Sequence, residues 1–155
     1  MSLKSIKDVT YFKLNNEINR PVNWQIPLHK DKEALEAFFA ENVRPNTKTF
    51  DSIEDKINYL IEEDYLEAEF IAKYSMTFSE SLYTFLAEQY LRFQSFMAAY
   101  KFYGQYALKT NDGESYLETY EDRVAFNALY FADGDEELAL TLADEMIHQR
   151  YQPAT

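Results

Sequence analysis

Two histidines, three adjacent carboxylates and one arginine behind two acids are the side chains of this sequence best suited to chemistry. His29 and His148 are separated by most of the chain, and imidazoles so placed form no metal-ligand pattern. His148 stands beside Arg150 near the end of an apolar-striped stretch, where positive groups suit the negative end of a helix dipole. Glu62, Glu63 and Asp64 read as a solvated charge run. Consecutive residues on a helix point in different directions and converge poorly on one ion. Arg123 follows Glu121 and Asp122, and its planar donor fork suits a structural ion pair or an anchor for the neighbouring turn. The sequence has no Gly-rich phosphate loop, no Ser nucleophile elbow and no Glu-x-x-His pair. It also has no cysteine, which excludes disulfides, thiolate metal sites and cysteine catalysis in this chain. No catalytic or metal-ligating residue is assigned.

The elements around these residues are organised by the stretch from Phe93 to Arg123. Phe96, Met97, Tyr100, Tyr103 and Ala107 recur at three- and four-residue spacing and predict one apolar helical face. Asn111-Asp112-Gly113 then supplies residues that tolerate positive φ. Its flanks, residues 106–109 and 115–118, are aromatic enough to pair as a hairpin. Thr119 is placed to cap a helix over residues 120–132, with Glu121 and Asp122 in its first turn.

Upstream, Thr10 is expected to cap a short helix to Ile18. Asn and Pro between residues 19 and 27 favour turns, and Trp24 and Ile26 there need cover against the main body. Asp31 starts a helix with Leu35, Phe38, Phe39 and Val43 on one face, ended by Pro45 and Asn46. Asp51 or Ser52 caps the next helix, striped by Ile53, Ile57, Leu60 and Ile61. Residues 66–74 form a short helix, and Ser79 opens another carrying Leu82, Phe85, Leu86 and Tyr90. After the break Asp133-Gly134-Asp135, a last helix is lined by Ala139, Leu142, Ala143, Met146 and Ile147 and stops near Arg150. The fold class is mainly α: an irregular bundle of six or seven helices in a single domain over residues 1–155, with one short β-hairpin near residues 106–118.

Composition narrows the function. A net charge of −12 opposes attraction to nucleic acid polymers and anionic membranes. No apolar run approaches the ~20 residues that span a bilayer, and the start lacks a signal-peptide core, so a cytoplasmic location is the default. With 13 Tyr and 12 Phe, the aromatic content fits a Tyr-rich core; a base-stacking platform would also need a basic groove, and no such cluster is visible.

Several motifs together carry a family resemblance. They are Tyr11-Phe-Lys-Leu-Asn-Asn-Glu-Ile18, His29-Lys-Asp-Lys-Glu-Ala34, Lys101-Phe-Tyr, Tyr106-Ala-Leu-Lys-Thr, Asp112-Gly, Leu117-Glu, Glu121-Asp-Arg-Val124 and Arg150-Tyr-Gln-Pro-Ala-Thr155. Jointly the chain resembles the N-terminal helical domain of ribonucleotide reductase large subunits, most closely the aerobic class Ib enzymes of bacteria. The resemblance implies a parent that reduces ribonucleoside diphosphates to deoxyribonucleotides. In that parent a dimetal small subunit generates a radical, and cysteines beyond Thr155 carry the chemistry, with a thioredoxin- or glutaredoxin-like reductant. It implies that this chain packs beside the catalytic barrel of the same subunit and is inactive alone. The ending within the Gln-Pro-Ala-Thr motif then reads as an excised domain or a split gene. By the same resemblance Thr155 helps to bind the substrate diphosphate in the intact parent. Residues 1–50 stand where a leader and a shortened ATP-cone lie, and residues 51–155 form the helical body. Arg44, Asn46, Thr47, Lys48 and Phe50 then offer a cation, polar donors and a ring to dAMP or dATP; as an ordinary interhelical connector they would need no ligand. A free-standing helical interaction module is the rival reading.

Overall fold

The computed structural model describes residues 9–151. Its eight α-helices form two compact units, and the chain passes through each twice. One unit runs to Lys48 and takes in Arg92–Leu117; the other holds Thr49–Leu91 and the chain from Glu118 onward.

In the first unit, α1 (Thr10–Ile18) packs on α2 (His29–Phe38), and α2 packs on α6 (Phe96–Lys101). Helix α2 loosens into a π-turn, Phe39–Val43, and then a 3-10 turn, Arg44–Asn46, with Pro45 inside it. A second π-turn, Phe102–Tyr106, extends α6. The core is aromatic: the Phe38 ring lies within 5.2–6.2 Å of Tyr11, Phe39, Phe96, Tyr100 and Tyr103. Asp31 is not the start of α2 but lies in its first turn, because its carboxylate is used elsewhere. It accepts the Phe96 backbone N–H at 3.2 Å and so satisfies the otherwise open start of α6.

The second unit holds α3 (Ile53–Glu62), α4 (Ala68–Ile71), α5 (Met76–Glu88), α7 (Tyr120–Ala132) and α8 (Glu136–Ile147). Ser52, Ser75 and Asp135 each accept a backbone N–H as N-caps of α3, α5 and α8. The expected opening of α5 at Ser79 is corrected: Ser75 caps it, and Ser79 is buried within the helix. Thr119 forms a full capping box with Asp122. Helix α7 buries seven residues, including Val124, Phe126 and Leu129, against α5 and α8.

The mainly α class holds, with eight helices among the described residues where six or seven are expected. The predicted hairpin near residues 106–118 does not form strands. Tyr106 is still in the π-turn, which shortens the first arm, and Lys109 and Tyr116 meet only as an isolated bridge. Tyr116 is also bridged to Thr47, so no continuous ladder develops. Among the described residues the expected cover over Trp24 is absent too: Trp24 is 99% exposed and Ile26 60%. Val22 and Gln25 exchange both backbone hydrogen bonds around Asn23 and Trp24, which have φ of 51° and 64°. This tight turn holds the indole out in solvent.

Candidate functional site

Tyr116 ties the sequence-predicted connector to the first unit. Its N–H donates to the Asn46 carbonyl at 2.7 Å, and its carbonyl accepts from Lys48 N–H at 2.9 Å. Its hydroxyl reaches Asn42 Oδ1 at 2.7 Å. Within the connector, Asn46 Nδ2 donates to the Asn42 carbonyl and the Thr47 hydroxyl to the Val43 carbonyl, at 2.6 and 2.7 Å. Both side chains thereby close the end of the π-turn, a local role that competes with any ligand. Arg44 and Lys48 are exposed on this turn. Phe50 belongs to the second unit, with its ring 5.3 Å from Tyr59 and Lys56 Nζ 5.9 Å above it. Thr155 lies outside the described residues.

A cavity of about 580 Å³ opens in the first unit. Tyr11 and Phe12 enter from α1, Phe38 from α2, and Met97, Tyr100 and Lys101 from α6. The two π-turns supply Asn42 from one side and Gly104 and Gln105 from the other, and Tyr116 completes the wall. Such turns insert one residue into the helical register and so redirect a side chain; they recur at functional sites. Burial pushes the Tyr11 phenol up, with Tyr100 and Glu41 adding to the effect. Burial does the same to Tyr116, beside Tyr11 and Tyr100. The cavity walls are therefore neutral rings with amide and hydroxyl groups between them, and Lys101 is the cation among the lining residues.

Sequence reasoning missed this cavity. The available signal was Asn42, a polar residue one helical turn beyond Phe38 on the buried stripe. Its partner Tyr116 is 74 residues away.

A second polar cluster is buried at the start of α7. Lys56 is ion-paired with Asp122, and their side chains are 12% and 6% exposed. Arg123 Nε lies 2.7 Å from Glu118 Oε1, the structural ion pair expected of that arginine. Burial holds the Tyr83 phenol well above its ordinary 10.0, with the charges of Asp122 and Glu118 adding to it. All five groups serve to position α7. His148 Nδ1 lies 2.9 Å from the Asp144 carbonyl and 3.2 Å from Asp144 Oδ1, at the end of α8. Its place fits the helix-terminus role. Among the described residues, no group of three or more His, Asp or Glu could hold a metal ion, and no helix is long and apolar enough to cross a membrane.

Two family models match the chain. Residues 11–91 match the ribonucleotide reductase N-terminal family, and residues 92–155 the ribonucleotide reductase all-alpha domain. The ribonucleoside-diphosphate reductase NrdEB subunit alpha of Bacillus subtilis (strain 168) is 46% identical over 145 residues, which is 94% of this chain and 13% of that protein. The ribonucleoside-diphosphate reductase subunit alpha of the same organism is 42% identical over 94% of this chain and 21% of its own length. That of Mycoplasma genitalium is 44% identical over 126 residues, 81% of this chain and 17% of its own. The chain thus spans between about an eighth and a fifth of the length of these relatives.

Proposed function

The chain belongs to the family of ribonucleotide reductase N-terminal and all-alpha domains, and from that premise we propose that it is the N-terminal structural and regulatory domain of a class Ib ribonucleoside-diphosphate reductase large subunit. The observation that carries this reading is the pair of family matches, which run without a gap from residue 11 to residue 155. The intact parent reduces ribonucleoside diphosphates to deoxyribonucleotides by radical chemistry in the cytoplasm. It works with a dimetal small subunit that generates the radical and a thioredoxin- or glutaredoxin-like reductant. This chain holds no cysteine and is inactive alone. It packs beside the catalytic barrel, and Thr155 delivers a hydroxyl to the substrate diphosphate in the intact subunit.

The test is complementation. The 155-residue chain is mixed with a subunit alpha from Bacillus subtilis lacking its corresponding N-terminal segment, together with the small subunit and a reductant. Reductase activity above that of the truncated subunit alone supports the reading. Tight association without any gain in activity favours the interaction-module rival.

Nucleotide sensing is a second role, supported by Arg44 and Lys48, two exposed cations four residues apart on the connector. Asn46 and Thr47 would have to give up their backbone bonds to join them, and Phe50 to supply the ring. Calorimetry with millimolar dAMP or dATP tests it. Heat that disappears in Arg44→Ala supports the role, and no heat disposes of it.

A further inference from the structure

We infer that Asp112 is a self-modification site of this chain, where aspartate converts to isoaspartate, and that the Thr110 side chain holds it latent. The reaction needs no reagent besides water. The Gly113 amide nitrogen attacks Asp112 Cγ and a C–N bond forms. The neutral carboxyl loses its hydroxyl, which leaves as water with the amide proton. The resulting succinimide ring takes water back at either carbonyl. Opening at one restores aspartate. Opening at the other leaves the main chain running through Cβ and Cγ, with the carboxylate on Cα. Mass and oxidation state are unchanged. A glycine after the aspartate leaves the attacking nitrogen unscreened, because it has no side chain. A Cβ placed on Gly113 would meet nothing within 4 Å. Residues 111–114 are exposed, so no packing opposes the ring.

The turn restrains both reacting groups. Gly113 N–H donates to the Thr110 carbonyl at 2.7 Å and closes a β-turn over Asn111 and Asp112, with Gly113 at φ 74°. Asp112 Oδ1 accepts the Thr110 hydroxyl at 2.5 Å and the Glu114 N–H at 2.9 Å. These two bonds favour the ionised carboxylate, the poorer electrophile, and hold its pKa below the ordinary value. The Thr110 hydroxyl oxygen also accepts Ser115 N–H at 3.1 Å, while Thr110 N–H donates to the Ser115 carbonyl at 2.9 Å. One hydroxyl thereby fixes the carboxylate and the closing arm of the turn together.

The second Asp–Gly pair, Asp133–Gly134, is guarded differently. Gly134 N–H donates at 2.8 Å to the hydroxyl of Tyr74, 60 positions away. Tyr74 is buried, and its hydroxyl donates to the Leu129 carbonyl at 2.7 Å. A Cβ on Gly134 would lie 3.3 Å from Lys73 Cβ. Freeing that nitrogen means breaking into the second unit. The bonds around Gly113 stay within residues 110–115 and open locally. Asp112 is therefore the reactive member of the two. Isomerisation there reaches past the turn. An added main-chain carbon displaces Tyr116, whose backbone bonds Asn46 and Lys48 and whose hydroxyl reaches Asn42. The modification thus loosens the hold of this turn on residues 42–48.

The test ages the intact chain in warm buffer near neutral pH, beside a peptide covering residues 107–117. Isoaspartate is counted at each Asp–Gly pair by peptide mapping, as a fragment of unchanged mass and altered retention. Methyl transfer by an isoaspartyl carboxyl methyltransferase gives an independent count. In the parent chain isoaspartate should accumulate at Asp112 ahead of Asp133, and more slowly than in the peptide. Thr110→Val removes the hydroxyl and should speed the reaction at Asp112 roughly threefold to tenfold, the weight of one hydrogen bond. Thr110→Ser keeps the hydroxyl and should stay near the parental rate. Circular dichroism shows whether the variants keep the fold. Should Thr110→Val lose it, the comparison of the parent chain with the peptide decides alone. The inference is overturned if the parent chain reacts as fast as the peptide, if folded Thr110→Val is no faster than the parent, or if Asp133 isomerises first.

Discussion

Replacing Asp122 by Asn removes one charge and little else. The amide is nearly isosteric, and its oxygen can still accept the Thr119 N–H that the carboxylate holds at 2.7 Å. What is lost is the counter-charge of Lys56, whose side chain is only 12% exposed. An ammonium stranded in such a site costs about 3–5 kcal/mol when its partner is deleted. The flexible lysine stem lets the charge move part-way to water, which lowers the expected loss to about 2–4 kcal/mol. For a chain of this length that is a fall in Tm of roughly 6–12 °C. In urea the midpoint should fall by about 1–2 M at unchanged slope. The reciprocal change, Lys56→Met, should cost less, about 1–3 kcal/mol. The Asp122 carboxylate then keeps the Thr119 N–H and the positive end of α7 as partners. Circular dichroism during urea unfolding of the two variants measures both losses. If Asp122→Asn unfolds within about 0.5 kcal/mol of the parent chain, the buried pair is not coupled as described and the reasoning fails.

Tyr74→Phe should cost about 1–3 kcal/mol in the same assay, because its hydroxyl donates to the Leu129 carbonyl at 2.7 Å and accepts Gly134 N–H at 2.8 Å. Phe38→Ala opens a hole among five rings and should cost about 3–5 kcal/mol, read as an earlier urea transition. Asp112 should titrate below its ordinary 3.8, because Thr110 Oγ1 and then the Glu114 N–H bond its ionised form. A folded-state value below the unfolded one means that this contribution is present above pH 3.8 and is lost as pH falls through the depressed value. Carboxyl carbon shifts in an NMR acid titration check it, and a midpoint at or above 3.8 contradicts it. Fragments 1–91 and 92–155, made separately, should each be largely unfolded by circular dichroism and gain helical signal on mixing.

Much of the helical layout is legible because its causes are local. The Ser52 cap, the Thr119 capping box and the Asp135 cap each need only residues within one turn, and the structure forms all three. The Ile57 and Leu60 stripe likewise needs only a period. Misreadings begin where a residue is used at a distance. Asp31 has the look of a local cap, yet it serves Phe96, 65 positions away. Residues 106–118 have hairpin chemistry, but Tyr116 divides its backbone between Lys109 and Thr47. Neither π-turn has a sequence signature, so the cavity between them was not visible. Trp24 was expected inside on hydrophobicity alone; its burial depended on a neighbour that the described residues do not provide.

The two family matches divide the chain at residues 91 and 92, where the chain also passes from one compact unit to the other. Yet each match supplies one segment to both units. In both units, long-range polar contacts cross that junction. Asp31 holds Phe96 and Asn42 holds Tyr116 in the first unit. Lys56 holds Asp122 and Tyr74 holds Gly134 in the second. Cutting there leaves Asp122 without Lys56, α6 without its acceptor and Phe38 without the Phe96 ring. Neither half keeps a complete core, and the entropy of ordering it is not offset. The division visible by sequence comparison is therefore not a division of folding. Each unit is complete only when the second half of the chain returns to pair with the first, and so the two matched segments are interleaved in both units.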